Sequence, residues 1–457
     1  MHRNTTFARF TSLALSLFAA LLWLGASAPR AVAIPAYARQ TGFPCASCHM
    51  GWPELTAYGR AFKANGYVWD GGKSPFPLSA QVQGPVFTHT AAGQPGGAAP
   101  GFGPNDNFEL EAASIYYGGA IYAPLGLGAF AQATYNQASN QFHWDMTDIR
   151  LAKSLMLGKG SSVVLGLTLN NQPTVEDLWN TTPAYRFPFI GADLAPKPAA
   201  ATEIEMLMQQ VVGFGAYAWW NNLLYIDLGG YKTLSNGTLK ALGIAPPMSN
   251  INTIAPYWRV AVTPSWDRGK QSLEIGTFGI SASLLPMGMT GMGTDQLTDI
   301  GVDAQYQFTG LKNAFLLEAS LITEPESWNA SQPLGLTANT HDRLNELNAK
   351  VSYLYDQTYE GSVGFFDLSG NKDPGLYMPA SISGSANGSP DSRGFVFEFD
   401  YMPFNRGGPS FWSTLGLKLG VQYVAYTRFN GGSSNYDGFG RNASDNNTLF
   451  LFAWLMF

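Results

Sequence analysis

Cys45-Ala46-Ser47-Cys48-His49 puts two thiols three positions apart and an imidazole directly after the second. Thiols at that spacing can each form a thioether with one vinyl group of a haem. The adjacent histidine then ligates the iron. The 457-residue chain has no other cysteine, so it lacks the thiolates that a structural zinc site usually uses. A disulfide-exchanging dithiol belongs in a βαβ setting, and none follows the motif. The spacing therefore predicts one covalently attached haem c, held by Cys45 and Cys48, with His49 as iron ligand.

The sixth iron position has several candidates. His89 shares an alternating face with Gln81 and Gln83, and His143 shares one with Asp145 and Thr147. Both should face a polar interior, where each is a candidate distal ligand or a lining histidine. Met146 and the group Met287, Met289 and Met292 are candidate sulfur ligands. His341 falls in an expected outer loop, and Met50 is too close to His49 to reach the other haem face. Iron(II) prefers oxygen and imidazole ligands. By location in outer loops, Glu176, Asp177, Asp295, Glu324, Glu326, Asp342 and Asp391 are candidates for such an ion, or else solvated loop charges.

The elements that position the motif follow from its flanks. Residues 1–33 read as a signal peptide. Arg3 and Arg9 precede an apolar run from Phe10 to Leu24, and Ala31-Val32-Ala33 offers a small-x-small cleavage site. Residues 34–75 form a small haem module. After the motif one short helix is expected, with Pro53 in the first turn, Leu55, Tyr58, Ala61 and Phe62 on one face, and Gly66 as its stop. A module this small cannot bury a haem alone.

Residues 76–457 must supply the cover. Gly, Tyr, Phe and Trp number 51, 21, 29 and 12, and charged residues make up only 13%. Segments alternating in twos recur between Gly, Pro, Asn and Asp clusters. Phe395, Phe397, Phe399 and Tyr401 oppose Val396, Glu398 and Asp400. Ile300, Val302, Ala304, Tyr306 and Phe308 oppose Gly301, Asp303, Gln305 and Gln307. Leu417, Leu419, Val421 and Tyr423 oppose Lys418, Gly420 and Gln422. One apolar face ending in aromatics and one polar face suit lipid outside and a watery lumen inside. The reading is an all-β membrane protein, a transmembrane outer-membrane β-barrel of about sixteen strands. Tight turns, such as 123–125, 267–270 and 356–357, alternate with long loops at 91–106, 171–202, 233–255, 369–392 and 429–444. A strand is expected over 203–218. Short turns face the periplasm in such barrels. Both barrel termini then lie at the periplasmic end.

The stretch Ile34-Pro35-Ala36-Tyr37-Ala38-Arg39-Gln40-Thr41-Gly42, the motif itself and Tyr58-Gly59-Arg60-Ala61-Phe62-Lys63-Ala64-Asn65-Gly66-Tyr67 resemble the fused cytochrome–porins of the bacterial outer membrane. The loop Asn170–Pro183 resembles that family as well. The resemblance implies that the N-terminal α-helical haem module enters the lumen as a plug. It also implies an outer-membrane cytochrome that takes electrons from an external donor, foremost Fe(II), and passes them to a periplasmic c-type cytochrome or cupredoxin. A solute porin with a haem-bearing plug is the alternative, as is electron flow to another donor or acceptor. A porin should keep an open, charge-lined channel, whereas a conduit should be filled by residues 34–75 and by aromatics around the haem. No catalytic triad, P-loop or dinucleotide fingerprint is present. A slightly acidic chain, pI ≈ 5.4, gives no support to a nucleic-acid partner.

Overall fold

In lipid, every backbone N–H and C=O must find a partner within the protein, and a sheet does this only by closing on itself. The computed structural model describes residues 35–69, 77–409, 412 and 414–457. The expected signal peptide and the end of the expected haem module lie outside the described residues. Twenty strand segments among the described residues join into sixteen antiparallel strands. We number them β1 (Leu78–Gln83 continuing as Val86–Thr90), β2 (Asn107–Glu109 continuing as Ala112–Tyr122), β3 (Leu127–Asn136), β4 (Gln141–Gly158), β5 (Ser161–Asn170), β6 (Val211–Trp220), β7 (Leu224–Thr233) and β8 (Ser249–Ile251, Ala255–Val262 and Ser265–Trp266). The second half is β9 (Gln271–Pro286), β10 (Asp295–Thr309), β11 (Asn313–Ser327), β12 (His341–Tyr355), β13 (Tyr359–Gly370), β14 (Ser392–Tyr401), β15 (Gly416–Arg428) and β16 (Thr448–Met456). Each strand pairs with its neighbour in sequence. β1 meets β16 through Gln81–Met456, Gln83–Trp454 and Phe87–Leu451, which closes the ring.

The alternation reads out as anticipated. On β11, Phe315, Leu317 and Leu321 are exposed, while Leu316, Glu318, Ser320 and Glu324 are buried toward the lumen. On β14, Phe395, Phe397 and Phe399 face out and Asp400 faces in. An outward apolar surface on a closed barrel belongs in a bilayer, and barrels of this kind reside in the Gram-negative outer membrane. Short turns such as 356–358 lie at the end that holds both barrel termini. Longer connections, including 91–106 and 371–391, lie at the other end.

Three expectations are corrected. The first part of the loop 171–202 does not project outward. Residues 171–184 are buried because Glu176 and Asp177 enter the lumen to meet Arg150 and Arg259. Residues 203–210 are not strand. Thr202 and Glu205 form a capping pair, Thr202 N–H donating to Glu205 Oε2 at 3.3 Å, and a helical turn runs over Glu203–Met206. The Glu203 and Ile204 amides donate to Glu324 Oε2 and Asp299 Oδ2 on the wall, at 2.6 and 2.7 Å. Finally, the module's helix starts at Ala57, capped by Thr56 Oγ1, rather than near Pro53. Glu54 is diverted into an ion pair with Lys350 of β12. Gly66 does end the helix region, with φ 73°.

An Arg placed on the lipid face near the bilayer middle costs about 2–4 kcal/mol. Leu317→Arg should lower barrel stability by that amount in refolding into lipid vesicles. Leu317→Val should change it little.

Candidate functional site

The N-terminal module enters the lumen as three short helices, α1 (Pro35–Thr41), α2 (Cys45–Cys48) and α3 (Ala57–Ala64). Side chains on one helical turn three positions apart share a face. Cys45 opens α2 and Cys48 closes it, and His49 N–H donates back to Cys45 O at 2.9 Å. His49 pairs across to Leu55, and Thr56 Oγ1 donates to Ser47 O at 2.6 Å. The motif is thereby folded back on the start of α3.

Strong polar contacts lock the module to the wall. Arg60 donates to Gln307 Oε1 at 2.8 Å and Ser272 Oγ at 3.2 Å, and its guanidinium lies 3.4 Å from the Trp179 ring centroid. Lys350 pairs with Glu54. Asn180 Nδ2 donates to Pro53 O at 2.8 Å, which joins the infolded loop to the module. The loop is itself clamped. Arg150 of β4 binds Asp148 at 2.9 Å and Glu176 at 3.1 Å, and Arg259 of β8 binds Asp177, Glu274 and Asp303 at 3.0, 2.7 and 2.8 Å. These charges are buried, so each is costly unless paired.

A cavity of about 440 Å³ remains between module, loop and wall. Cys45, Cys48 and His49 line it. Phe43, Trp52, Leu55, Phe62, Phe130, Phe189 and Trp454 give it broad apolar walls, while Gln132, Gln209, Asn180 and Lys63 supply polar atoms. Cys45 packs with Trp52, Trp454 and Met456. Burial pushes the Cys48 thiol up to about 11, which disfavours the thiolate that disulfide exchange needs. Burial also holds His49 below the ordinary imidazole value, against the opposing pull of the Pro53 backbone and Glu54. The neutral ring is the metal-ligating form. Lys63 is buried and makes no carboxylate ion pair within 4 Å among the described residues. Its Nζ donates to Asp177 O at 2.7 Å and Asn180 Oδ1 at 3.2 Å, and lies 4.6 Å from the Tyr185 ring centroid. Burial, with Arg150 nearby, pushes it down to about 7. The arrangement can hold a flat, mostly apolar group tied through two thiols, with an anionic substituent near Lys63.

The other candidates separate clearly. His89 does not line the cavity and does not face the lumen. The segment Gly84-Pro85 inserts an extra residue between the Gln83–Trp454 and Phe87–Leu451 pairs. A bulge of this kind reverses which side chains point inward. Val86, Thr88 and Thr90 are buried, and His89 turns out to bind Asp106 Oδ1 at 2.6 Å. His143 shares the inward face with Thr134, its cross-strand partner, as expected, but it lies outside the cavity. His341 is exposed beside Ser327 Oγ. Met287 and Met292 are exposed, whereas Met146 lines the cavity. The seven acidic candidates are not a site in shape. Glu176 and Asp177 are in the clamps, Asp295 accepts the Ala330 and Ser331 amides, and Asp391 pairs with Arg428 at 2.8 Å. Glu324 faces the lumen from β11. Among the described residues no group of three or more His, Cys, Asp or Glu is arranged to hold a metal ion. Lys63, Tyr185 and Gln209 carry no sequence signal for this cavity, since two of them reach it only through the infolded segment.

Several solved structures resemble the chain. OmpF of Salmonella typhi in complex with daunomycin is 12% identical with a TM-score of 0.45, covering 83% of this chain and 97% of its own. The outer-membrane channel DcaP of Acinetobacter baumannii is 11% identical at 0.43, over 83% and 96%. OmpT of Vibrio cholerae is 9% identical at 0.40, over 83% and 97%. The sixteen-stranded barrel rests on its own closed hydrogen-bond ladder. No model of a known protein family matches the chain, and no curated protein matches it.

Two outcomes follow from the buried charges. Breaking a buried ion pair by removing one partner costs about 3–5 kcal/mol. Lys350→Met should therefore loosen the plug, read as protease cleavage within residues 35–69 of a barrel that stays folded. Between about 7 and its unfolded value near 10, Lys63 binds fewer protons folded than unfolded, so stability rises with pH across that window. The Cys45→Ser/Cys48→Ser variant should gain thermal stability over this range, and adding Lys63→Met should flatten the gain.

Proposed function

We propose that this porin-like outer-membrane barrel carries one haem c in its lumen and moves electrons between the cell exterior and the periplasm. The observation that carries the reading is the cavity itself, with Cys45, Cys48 and His49 on one wall and aromatic side chains on the others. The residues present fit the group. Both thiols line the cavity, and neither cysteine is in a disulfide. His49 lines the same cavity beside them. The lining has the size range of a cofactor site, and Lys63 suits a propionate carboxylate.

Cys45 and Cys48 would hold the haem covalently and His49 would ligate its iron. The haem supplies one-electron redox chemistry, with a potential set by axial ligands, burial and nearby charge. The chain's own groups do the rest. Phe62, Trp52 and Trp454 line the site with apolar surface and would keep water from the haem. Arg60, Arg150 and Arg259 fix the module and the infolded loop, so the lumen is filled rather than wide. Fe(II) at the outer mouth is the favoured donor. Ferric iron precipitates near neutral pH, so oxidising Fe(II) outside keeps that product out of the cell. A periplasmic cytochrome or cupredoxin would accept at the turn end, where the module sits.

A second reading is supported by the barrel. Sixteen strands enclose a lumen wide enough for an aqueous channel when it is unfilled, and a solute porin with a haem-bearing plug has the same architecture. Two measurements separate the readings. In stopped-flow, the air-oxidised holoprotein in detergent should be reduced by Fe(II), with changes in the Soret and α bands that are absent in His49→Ala. Reduction by dithionite but not by Fe(II) removes iron as donor. In planar bilayers the conduit should show little ion conductance. A stable open channel comparable to a general porin would favour the solute reading.

A further inference from the structure

The sixth iron position can be assigned from this chain's own residues, an inference that rests on the haem reading above. Among the described residues, Met146 and Met456 are the methionines that line the cavity, and His49 is its sole histidine. Met456 packs in one apolar cluster with Cys45 and Trp52, at the edge where the thiols attach. Met146 belongs to the barrel wall. It reaches the lumen by a local device. The β3–β4 ladder pairs Ala131 with Thr147 and Ala133 with Trp144, so Gln132 faces two residues, Asp145 and Met146. Phe142 and Trp144 point to lipid and are exposed. Strict alternation would send Met146 the same way. The bulge instead turns it inward, where it is buried with Asp148 and Arg150. Bulges that re-aim one side chain gather beside functional sites. Once inside, its sulfur is held by a hydrogen bond, Tyr185 Oη donating to Met146 Sδ at 3.3 Å. A thioether sulfur has two lone pairs, and one contact of this kind leaves the other for a metal. Partners of this sort orient ligands and tune the metal.

We propose that Met146 is the sixth ligand of the haem iron and that Tyr185 positions its sulfur. Histidine and methionine together suit a higher potential than two histidines, as a centre that takes electrons from Fe(II) requires.

The test is the far-red absorption of the ferric holoprotein, where a sulfur-to-iron charge-transfer band marks methionine ligation. Haem content is measured in parallel on denatured protein by the pyridine haemochrome. The wild type should show the band. Met146→Leu should lose it, shift toward high spin and fall in reduction potential, with covalent haem unchanged. Met146→His should stay low spin without the band. Tyr185→Phe should keep the band but alter the potential, and Met456→Leu should keep the band. A wild type with covalent haem but no band overturns the proposal. So does a Met146→Leu protein that keeps the band, or loss of the band in Met456→Leu. Absence of covalent haem from the wild type would instead remove the haem reading beneath it.

Discussion

Closure of the β1–β16 seam is the constraint on which everything else depends. Unpaired backbone groups facing hydrocarbon cost several kcal/mol each, so the sheet must meet itself. It does so through the Gln81–Met456 and Phe87–Leu451 ladders. Sixteen strands closed in this way enclose more space than their inward side chains fill. The interior of this protein is a response to that surplus. The N-terminal module occupies the turn end, and the segment after β5 folds in above it.

Filling a lumen lined with charges is a different problem from filling an apolar core. The inward faces of β4, β8, β9 and β10 carry Asp148, Arg150, Arg259, Glu274 and Asp303, all deeply buried. The infolded loop brings Glu176 and Asp177 to these arginines. The module brings Glu54 to Lys350 and sets Arg60 over Trp179. Each insertion therefore adds a carboxylate to cations that the wall already pairs in part, Arg150 with Asp148 and Arg259 with Glu274 and Asp303. Loop and module depend on the barrel, because the buried Glu176, Asp177 and Glu54 find their cationic partners on its wall.

The cavity is what this interlocking leaves open. Its walls come from all three parts: Cys45, Cys48 and His49 from the module, Tyr185 and Phe189 from the loop, and Met146 and Trp454 from strands. The module is too small to enclose such a space. The barrel thus acts as the module's missing core, and it carries that core through the membrane.

The barrel was legible in the sequence because strand alternation is local. Phe395 to Tyr401 and Ile300 to Phe308 show their two faces with no knowledge of their neighbours, and the strand number followed from turn spacing. The cysteine pair with its histidine stands out in the sequence because the motif is defined by spacing within five residues. Everything set by register or by distant charge needed the tertiary structure. One extra residue at Gly84-Pro85 turns His89 outward, and one at Asp145-Met146 turns Met146 inward. A bulge exists only relative to the partner strand, so neither strand's own sequence reveals it. Glu176 and Asp177 read as outer-loop charges for the same reason. Their partners Arg150 and Arg259 lie on strands that only the closed ring brings within reach.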